Sequence, residues 1–66
     1  MFVSVLGIDP GLTRCGFGVV TVDEKRSIEF SRVGIFTTSP QDPVSNRLAE
    51  MHNDITELIT EIKPDY

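Results

Sequence analysis

Val3-Ser4-Val5-Leu6-Gly7-Ile8-Asp9-Pro10-Gly11 is the stretch that decides the fold of this chain. Its first part is short, apolar and rich in β-branched residues, which predicts a buried strand that ends at Asp9. Pro10 fits the second position of a β-turn, and Gly11 fits the third, where φ is often positive. Asp9 is the only charged residue among the first thirteen. Because α/β sheets commonly place their sites at the carboxyl ends of strands, Asp9 is the first candidate functional residue.

A second strand is predicted from Arg14 to Val22, and a hairpin loop over residues 9–13 joins it to the first strand. By alternation, one face of this strand carries Cys15, Phe17, Val19 and Thr21, and the other carries Gly16, Gly18, Val20 and Val22. Gly7 shares a face with Asp9 if the first strand is regular. The two glycines of the second strand leave a flat patch, which either packs closely against a helix or leaves room for a substrate or a metal beside Asp9. From the glycines alone, packing is the favoured interpretation.

A third strand is predicted from Ile28 to Thr37, after a charged loop over residues 23–27. Its apolar pattern changes phase, since Ile28 and Phe30 share one face and Val33 and Ile35 share the other. Such a change predicts a β-bulge, or a strand that is covered on both faces along part of its length. Three strands joined by short loops predict an antiparallel meander.

A helix is predicted from about Pro43 to Ile62. Its apolar stripe recurs at spacings of four and three residues and consists of Val44, Leu48, Met51, Ile55, Leu58 and Ile62. Asp42 is expected to be the N-cap, with Pro43 at the first helical position. Lys63 is expected in the last turn, and Pro64 ends the helix. The acidic side chains Glu50, Asp54, Glu57 and Glu61 predict a solvated outer face that repels DNA.

The 66 residues form one domain at most, with a net charge of −4 and 39% apolar residues. A chain this short buries only ~60% of the surface that its unfolded form exposes, so its core is marginal. The single cysteine, Cys15, and the single histidine, His52, exclude a disulfide or a Cys/His metal cage within one chain. We expect a cytoplasmic protein with no signal peptide and no membrane span. The acidic balance argues against tight nucleic-acid binding by this segment alone.

The end of the chain suggests a continuation. A helix that returns across the sheet would place the next strand parallel to the first strand and beside it. Asp65 and Tyr66 come where that strand would begin. Residues 1–66 are therefore expected to be the amino-terminal part of a larger domain.

Residues 6–20 read Leu6-Gly7-Ile8-Asp9-Pro10-Gly11-Leu12-Thr13-Arg14-Cys15-Gly16-Phe17-Gly18-Val19-Val20. This stretch closely resembles the opening of the RuvC family of Holliday-junction resolvases. The resemblance implies an α/β, ribonuclease H-like fold. Here that fold is truncated to a three-stranded antiparallel meander and one amphipathic helix, the amino-terminal part of a single nuclease domain. It also implies a Mg²⁺-dependent, structure-selective endonuclease that acts in DNA recombination and repair. Four-way junction DNA would be its substrate, a homodimer its working form and a branch-migration helicase complex its partner.

The family's metal site has four carboxylates, and Asp9 matches the first of them. The other three are a Glu at the end of the strand after the first helix and two acidic residues near the start of the last helix. Asp65 precedes the expected strand and does not stand in for that Glu. Two Mg²⁺ ions about 4 Å apart can activate a water and neutralise the leaving oxygen. The resemblance thus implies that Asp9 is a catalytic, metal-binding residue, and it predicts that residues 1–66 alone have no nuclease activity.

Several residues keep a second interpretation. Without the resemblance, Asp9 is best taken as a turn residue whose carboxylate caps the backbone of Gly11 or Leu12. Arg14 faces a phosphate near the site or is a surface residue at a strand start, and Thr13 is expected to bond within its own loop. Cys15 is expected to be a small buried apolar group, and His52 to lie at the border of the helical stripe.

Three alternative functions remain beside the resolvase. A nuclease relative of the YqgF family has the same fold, although it usually differs at the Pro10 position. An actin-like ATP-binding module shares the shorter Gly-Ile-Asp-x-Gly pattern at residues 7–11. A non-catalytic interaction module would use the open edge of the sheet and the apolar stripe from Val44 to Ile62.

Overall fold

The computed structural model of the chain describes residues 2–66. Its strands are β1 (Val3–Asp9), β2 (Arg14–Val22) and β3 (Ile28–Thr37), which form an antiparallel sheet in the order β1-β2-β3. One helix, α1 (Val44–Ile62), follows the sheet. The predicted meander and helix are confirmed, with the second and third strands at their predicted bounds.

The strand register assigns every side chain of the sheet to one of two faces. The face toward α1, called here the helix face, carries the rows Ile8–Phe17–Gly34 and Leu6–Val19–Arg32. The opposite face, called here the open face, carries the rows Asp9–Gly16–Ile35, Gly7–Gly18–Val33 and Val5–Val20–Phe30. The predicted faces of the second strand are confirmed, as is the shared face of Gly7 and Asp9.

The predicted bulge in β3 is confirmed at Ser31. Val19 opposes Arg32 and Val20 opposes Phe30, so that Ser31 has no opposite residue in β2. The extra residue brings Phe30 back into phase with Val33. As a result, the apolar residues on both sides of the bulge lie on the open face.

The core lies between the helix face and α1. Cys15, Phe17 and Val19 of β2 are buried there, as are Met51 and Leu58 of α1. The Phe17 ring stacks on Phe36 with centroids 5.0 Å apart. Cys15 is the small buried apolar group that its sequence context predicts, whereas His52 is exposed.

The helical stripe is buried over only part of its length. Ile55 and Ile62 are half-buried, but Val44 and Leu48 are 56% and 57% exposed. Leu48 lines an open groove of about 320 Å³ between α1 and the hairpin loop. The first turns of α1 therefore extend past the end of the buried core.

Both predicted helix caps need correction. Pro43, with ψ 145°, is the N-cap, so the helix begins at Val44 and Asp42 lies outside it. The Asp42 N–H instead donates to the Ser39 carbonyl in the preceding turn, at 3.1 Å. Lys63 is the C-cap rather than a residue of the last turn: its backbone is left-handed, and its N–H donates to the Ile59 carbonyl at 2.8 Å.

The last two residues pair with the outer edge of β1. The Tyr66 N–H donates to the Ser4 carbonyl at 3.2 Å, and the Leu6 N–H donates to the Tyr66 carbonyl at 3.0 Å. Tyr66 thus donates to Ser4 and accepts from Leu6, two residues further along β1, which is the hydrogen-bond pattern of parallel strands. The direction predicted for the segment after the helix is thus the one observed.

Candidate active site

Asp9 is the last residue of β1, and its side chain is exposed on the open face. Pairing with Gly16 of β2 fixes its backbone in the ladder. Within residues 2–66, the Asp9 carboxylate accepts no hydrogen bond. The alternative prediction, that this carboxylate caps the backbone of Gly11 or Leu12, is therefore wrong, and both carboxylate oxygens are available to a ligand.

A shallow groove of about 480 Å³ begins beside Asp9. It is lined by Gly7, Ile8, Asp9, Gly16, Phe17, Gly18, Val33, Gly34 and Ile35. A Cβ at Gly18 would have no heavy atom within 4 Å, and a Cβ at Gly16 would lie 3.8 Å from the Asp9 Cβ. The groove is thus the space that the missing side chains would occupy.

The favoured interpretation of the glycine patch, close packing of a helix, is wrong for α1. The helix packs on Cys15, Phe17 and Val19, which lie on the helix face, whereas Gly16 and Gly18 lie on the open face. The second interpretation, room beside Asp9, describes the observed geometry.

The loop after Asp9 is tight for a different reason from the one predicted. Within residues 2–66, no glycine has a positive φ, so Gly11 does not occupy the left-handed position of a turn. A Cβ at Gly11 would instead collide with the carbonyl oxygen of Arg14. Glycine is needed there because the loop backbone folds back closely on the start of β2.

A polar cluster that the sequence analysis missed braces this loop against α1. The buried Thr38 hydroxyl donates to the Leu12 carbonyl at 2.6 Å, and the Thr38 N–H donates to the Thr13 carbonyl at 3.1 Å. Arg47 of α1 donates from Nε to Thr38 Oγ1 at 3.1 Å and from a terminal nitrogen to Thr13 Oγ1 at 2.8 Å. Thr13 therefore bonds outside its own loop, contrary to the prediction.

Sequence offered one weak signal for this cluster, a threonine at a strand end and an arginine near a helix start. Such residues are ordinary surface residues in most proteins, and only the tertiary fold brings positions 13, 38 and 47 together. The cluster fixes the hairpin loop on which the end of β1 depends.

The other acidic side chains lie away from Asp9. Among residues 2–66, no three His, Cys, Asp or Glu side chains come close enough to form a metal site. Asp65 accepts a hydrogen bond from the Ser4 N–H at 2.8 Å, at the opposite end of β1 and about 16 Å from Asp9 by strand rise. Glu61 of the acidic helix face forms an ion pair with Arg32 at 2.8 Å.

The sequence profile of a known family covers almost the whole chain. The family described as "Crossover junction endodeoxyribonuclease RuvC" matches residues 5–66. The chain belongs to the RuvC family. This match favours the RuvC family over the YqgF-like and actin-like alternatives. Of the apolar stripe that an interaction module would use, Met51 and Leu58 are buried in the core, whereas Val44 and Leu48 are exposed.

Individual RuvC proteins are similar over the same region. The chain is 42% identical over 64 residues to the crossover junction endodeoxyribonuclease RuvC of Pseudarthrobacter chlorophenolicus, covering 97% of this chain and 33% of that protein. It is 45% identical over 62 residues to the RuvC of Clavibacter michiganensis, covering 94% of this chain and 31% of that protein. The chain thus spans about a third of the length of the curated relatives that it matches.

Solved structures of RuvC share the fold. A Thermus thermophilus RuvC in complex with a Holliday junction substrate superposes with a TM-score of 0.81 at 34% identity, covering 98% of this chain and 40% of that chain. A second structure of T. thermophilus RuvC gives a TM-score of 0.79 at the same identity, covering 98% of this chain and 41% of the other. The truncated ribonuclease H-like fold predicted from the sequence is confirmed.

Within residues 2–66, no helical segment combines the length and hydropathy that crossing a membrane requires.

Proposed function

We propose that the polypeptide containing this chain is a Mg²⁺-dependent endonuclease that resolves four-way DNA junctions, and that Asp9 is one of its metal ligands. The position of Asp9 supports the proposal most directly. Its exposed carboxylate stands at the end of β1 beside a glycine-lined groove, in a chain of the RuvC family. The T. thermophilus relative has been solved with a Holliday junction substrate.

The residues around Asp9 are compatible with a divalent cation. Mg²⁺ takes oxygen ligands and keeps several waters. The Asp9 carboxylate supplies such ligands without an internal hydrogen-bond partner in residues 2–66, and Gly16 and Gly18 leave space for the waters. We infer that the remaining carboxylates come from polypeptide outside residues 1–66. When bound, two such ions activate a water and neutralise the charge on the leaving oxygen.

The chain's own contribution is to hold Asp9 in place. The β1–β2 ladder fixes the Asp9 backbone, and the cluster of Thr13, Thr38 and Arg47 fixes the loop that follows. Because its backbone is already fixed, the Asp9 carboxylate needs little reorganisation when it binds a metal ion. Precise positioning of a reacting group requires this kind of preorganisation.

We also propose the assembly and the location. A four-way junction presents two symmetric strands, and a homodimer with two-fold symmetry would place one site on each. A branch-migration helicase complex is the partner that the family resemblance implies, and the cytoplasm is the proposed location. With one of four carboxylates, residues 1–66 alone are proposed to be inactive.

The test is single-turnover cleavage of a four-way junction by the full-length polypeptide with Mg²⁺. Asp9→Asn keeps the size of the side chain and removes its charge. We expect the cleavage rate to fall by about a thousandfold or more, because several kcal/mol of charge stabilisation are lost. Asp54→Asn, on α1 at the other side of the sheet, is the matched control and should cleave at the wild-type rate.

Two results would overturn the proposal. One is a full-length polypeptide that does not cleave four-way junctions in the presence of Mg²⁺. The other is an Asp9→Asn variant that cleaves as fast as the Asp54→Asn control, which would remove Asp9 from the site.

A further inference from the structure

The basic residues of the chain are distributed unevenly around the sheet. Arg32 pairs with Glu61 on the helix face, and Arg47 is bonded to Thr13 and Thr38. The others lie elsewhere: Lys25 and Arg26 are in the β2–β3 loop, and Lys63 caps the end of α1. Among residues 2–66, this leaves Arg14 as the cation on the open face at the Asp9 end of the sheet.

The register places Arg14 diagonally across from Asp9. Asp9 opposes Gly16, and Arg14 lies two residues before Gly16 on the same face of β2. Diagonal neighbours in an antiparallel pair are about 7–8 Å apart, within reach of long side chains. An arginine at this position can therefore reach a group that is held at Asp9 or a group immediately next to it.

Arg14 is also available for binding. Its side chain is exposed and, within residues 2–66, makes no hydrogen bond or ion pair, even with Asp9. The residue that opposes Asp9 and neighbours Arg14 on that face is Gly16, which adds no side chain beside them. The open face thus carries one guanidinium and one carboxylate that have no hydrogen-bond partner within residues 2–66, at diagonal positions of β2 and β1.

We propose that Arg14 binds a phosphate of the DNA strand that is cut, next to the phosphate that is cleaved beside Asp9. The guanidinium presents its donors in a planar fork that matches two oxygens of a phosphate. In a chain with a net charge of −4, a free cation at this position offsets repulsion where the strand must approach. The inference rests on the proposed function and adds to it a residue that positions the substrate.

The first test is the salt dependence of junction binding by the full-length polypeptide. Binding is measured in the Asp9→Asn background, so that no strand is cut. A plot of the logarithm of the binding constant against the logarithm of the salt concentration has a negative slope. Arg14→Gln should make this slope less negative by about 0.9 per subunit, the value for one lost phosphate contact. Arg14→Lys should keep the wild-type slope, because it keeps the charge.

The second test is single-turnover cleavage with Asp9 intact. Arg14→Gln should cleave at least about tenfold more slowly, since a hydrogen bond to a charged group is lost. Arg14→Lys should recover only part of the rate, because a lysine lacks the fork. Lys25→Gln removes the same charge at the far end of the sheet, and it should change neither the slope nor the rate.

A third test changes the DNA and compares the wild-type protein with Arg14→Gln. Neutral methylphosphonates are placed one at a time around the cleavage position. One of them, next to the cleaved phosphate, should weaken binding by the wild-type protein and have no effect on Arg14→Gln.

The inference is overturned if Arg14→Gln binds and cleaves like the wild type. It is also overturned if Lys25→Gln changes the salt slope and the cleavage rate as much as Arg14→Gln does. It is also overturned if every methylphosphonate affects the wild type and Arg14→Gln equally. Failure of the proposed function gives a different result, because the wild-type polypeptide would then neither bind nor cleave the junction.

Discussion

At the scale of single residues, the glycines of the sheet have two different tasks. Gly34 lies on the helix face, where a Cβ would come within 2.5 Å of Phe17 Cζ. Its missing side chain lets the Phe17 ring pack across β3 and stack on Phe36. Gly18 lies on the open face, where a Cβ would meet nothing within 4 Å. One glycine therefore serves the core, and the other keeps the groove beside Asp9 open.

This difference predicts opposite effects of the same substitution. Gly34→Ala forces the buried Phe17 ring to move and should destabilise the fold by about 1–3 kcal/mol. Gly18→Ala should leave the stability unchanged or raise it by about 0.5–1 kcal/mol, since it removes the entropic cost of glycine in a strand. It should nevertheless slow cleavage, because the new methyl group enters the groove.

Urea denaturation and single-turnover cleavage of the full-length variants check both effects. A Gly18→Ala variant with wild-type cleavage would show that the DNA and the metal do not use this part of the groove. A Gly34→Ala variant of wild-type stability would mean that the Phe17 ring moves at no cost.

At the scale of elements, the hairpin loop between β1 and β2 is held by residues that are distant in sequence. Thr38 follows β3 and Arg47 lies in the first turns of α1, and both bond to the loop at Leu12 and Thr13. The loop backbone itself approaches β2 so closely that Gly11 cannot carry a Cβ. The end of β1 is therefore fixed by α1 and by the segment after β3 as well as by its own ladder with β2.

Removing the Thr38 hydroxyl should weaken this bracing. Thr38→Val keeps the shape but leaves the Leu12 carbonyl and an Arg47 donor without their partner, which costs about 1–3 kcal/mol for a buried group. The effect of Arg47→Met should be coupled to that of Thr38→Val. The double variant should therefore lose less free energy of unfolding than the sum of the losses in the two single variants. The free energies of unfolding from urea denaturation of the full-length variants measure both quantities.

Thr60→Val is the matched control. Within residues 2–66, the Thr60 hydroxyl bonds only to the Thr56 carbonyl of α1, and it is exposed. Its loss should change the stability by less than about 0.5 kcal/mol. Additive losses in the Thr38 and Arg47 pair would contradict a connected cluster.

At the scale of the whole molecule, one layer of helix covers one side of a sheet, and the other side is apolar and open. The radius of gyration is 13.9 Å, against about 11 Å for a compact domain of this length. The exposed apolar side chains of β3 on the open face are Ile28, Phe30, Val33 and Ile35. Exposed apolar side chains grouped on one face in this way are typical of a surface that contacts another polypeptide segment or a partner.

Residues 1–66 expressed alone should accordingly be marginally stable and inactive. We expect a low urea midpoint and binding of a hydrophobic dye, because the open apolar face is in water. We expect no cleavage of a four-way junction with Mg²⁺ under single-turnover conditions, because one carboxylate does not make a two-metal site. The full-length polypeptide is the positive control, and specific cleavage by the 66-residue chain would refute this prediction.

Local pattern in the sequence determined the elements and the residue of interest. The periodicity of apolar side chains along the chain predicts the bounds of β2 and β3, the bulge near Ser31 and the helix that ends at Ile62. This periodicity is a local property, because it involves only residues that are close in sequence. The family resemblance over residues 6–20 singled out Asp9. These features need no knowledge of which elements meet in space.

Only the tertiary structure decided which face of the sheet the helix covers. Alternation places Gly16 and Gly18 on one face and Cys15, Phe17 and Val19 on the other, but it does not say which face α1 packs against. The helix buries Cys15, Phe17 and Val19 of β2, and it leaves the large apolar side chains of β3 exposed on the open face, so side-chain size alone does not select the covered face. The glycines are thereby left beside Asp9, and Thr13, Thr38 and Arg47 meet only because the helix returns across that face.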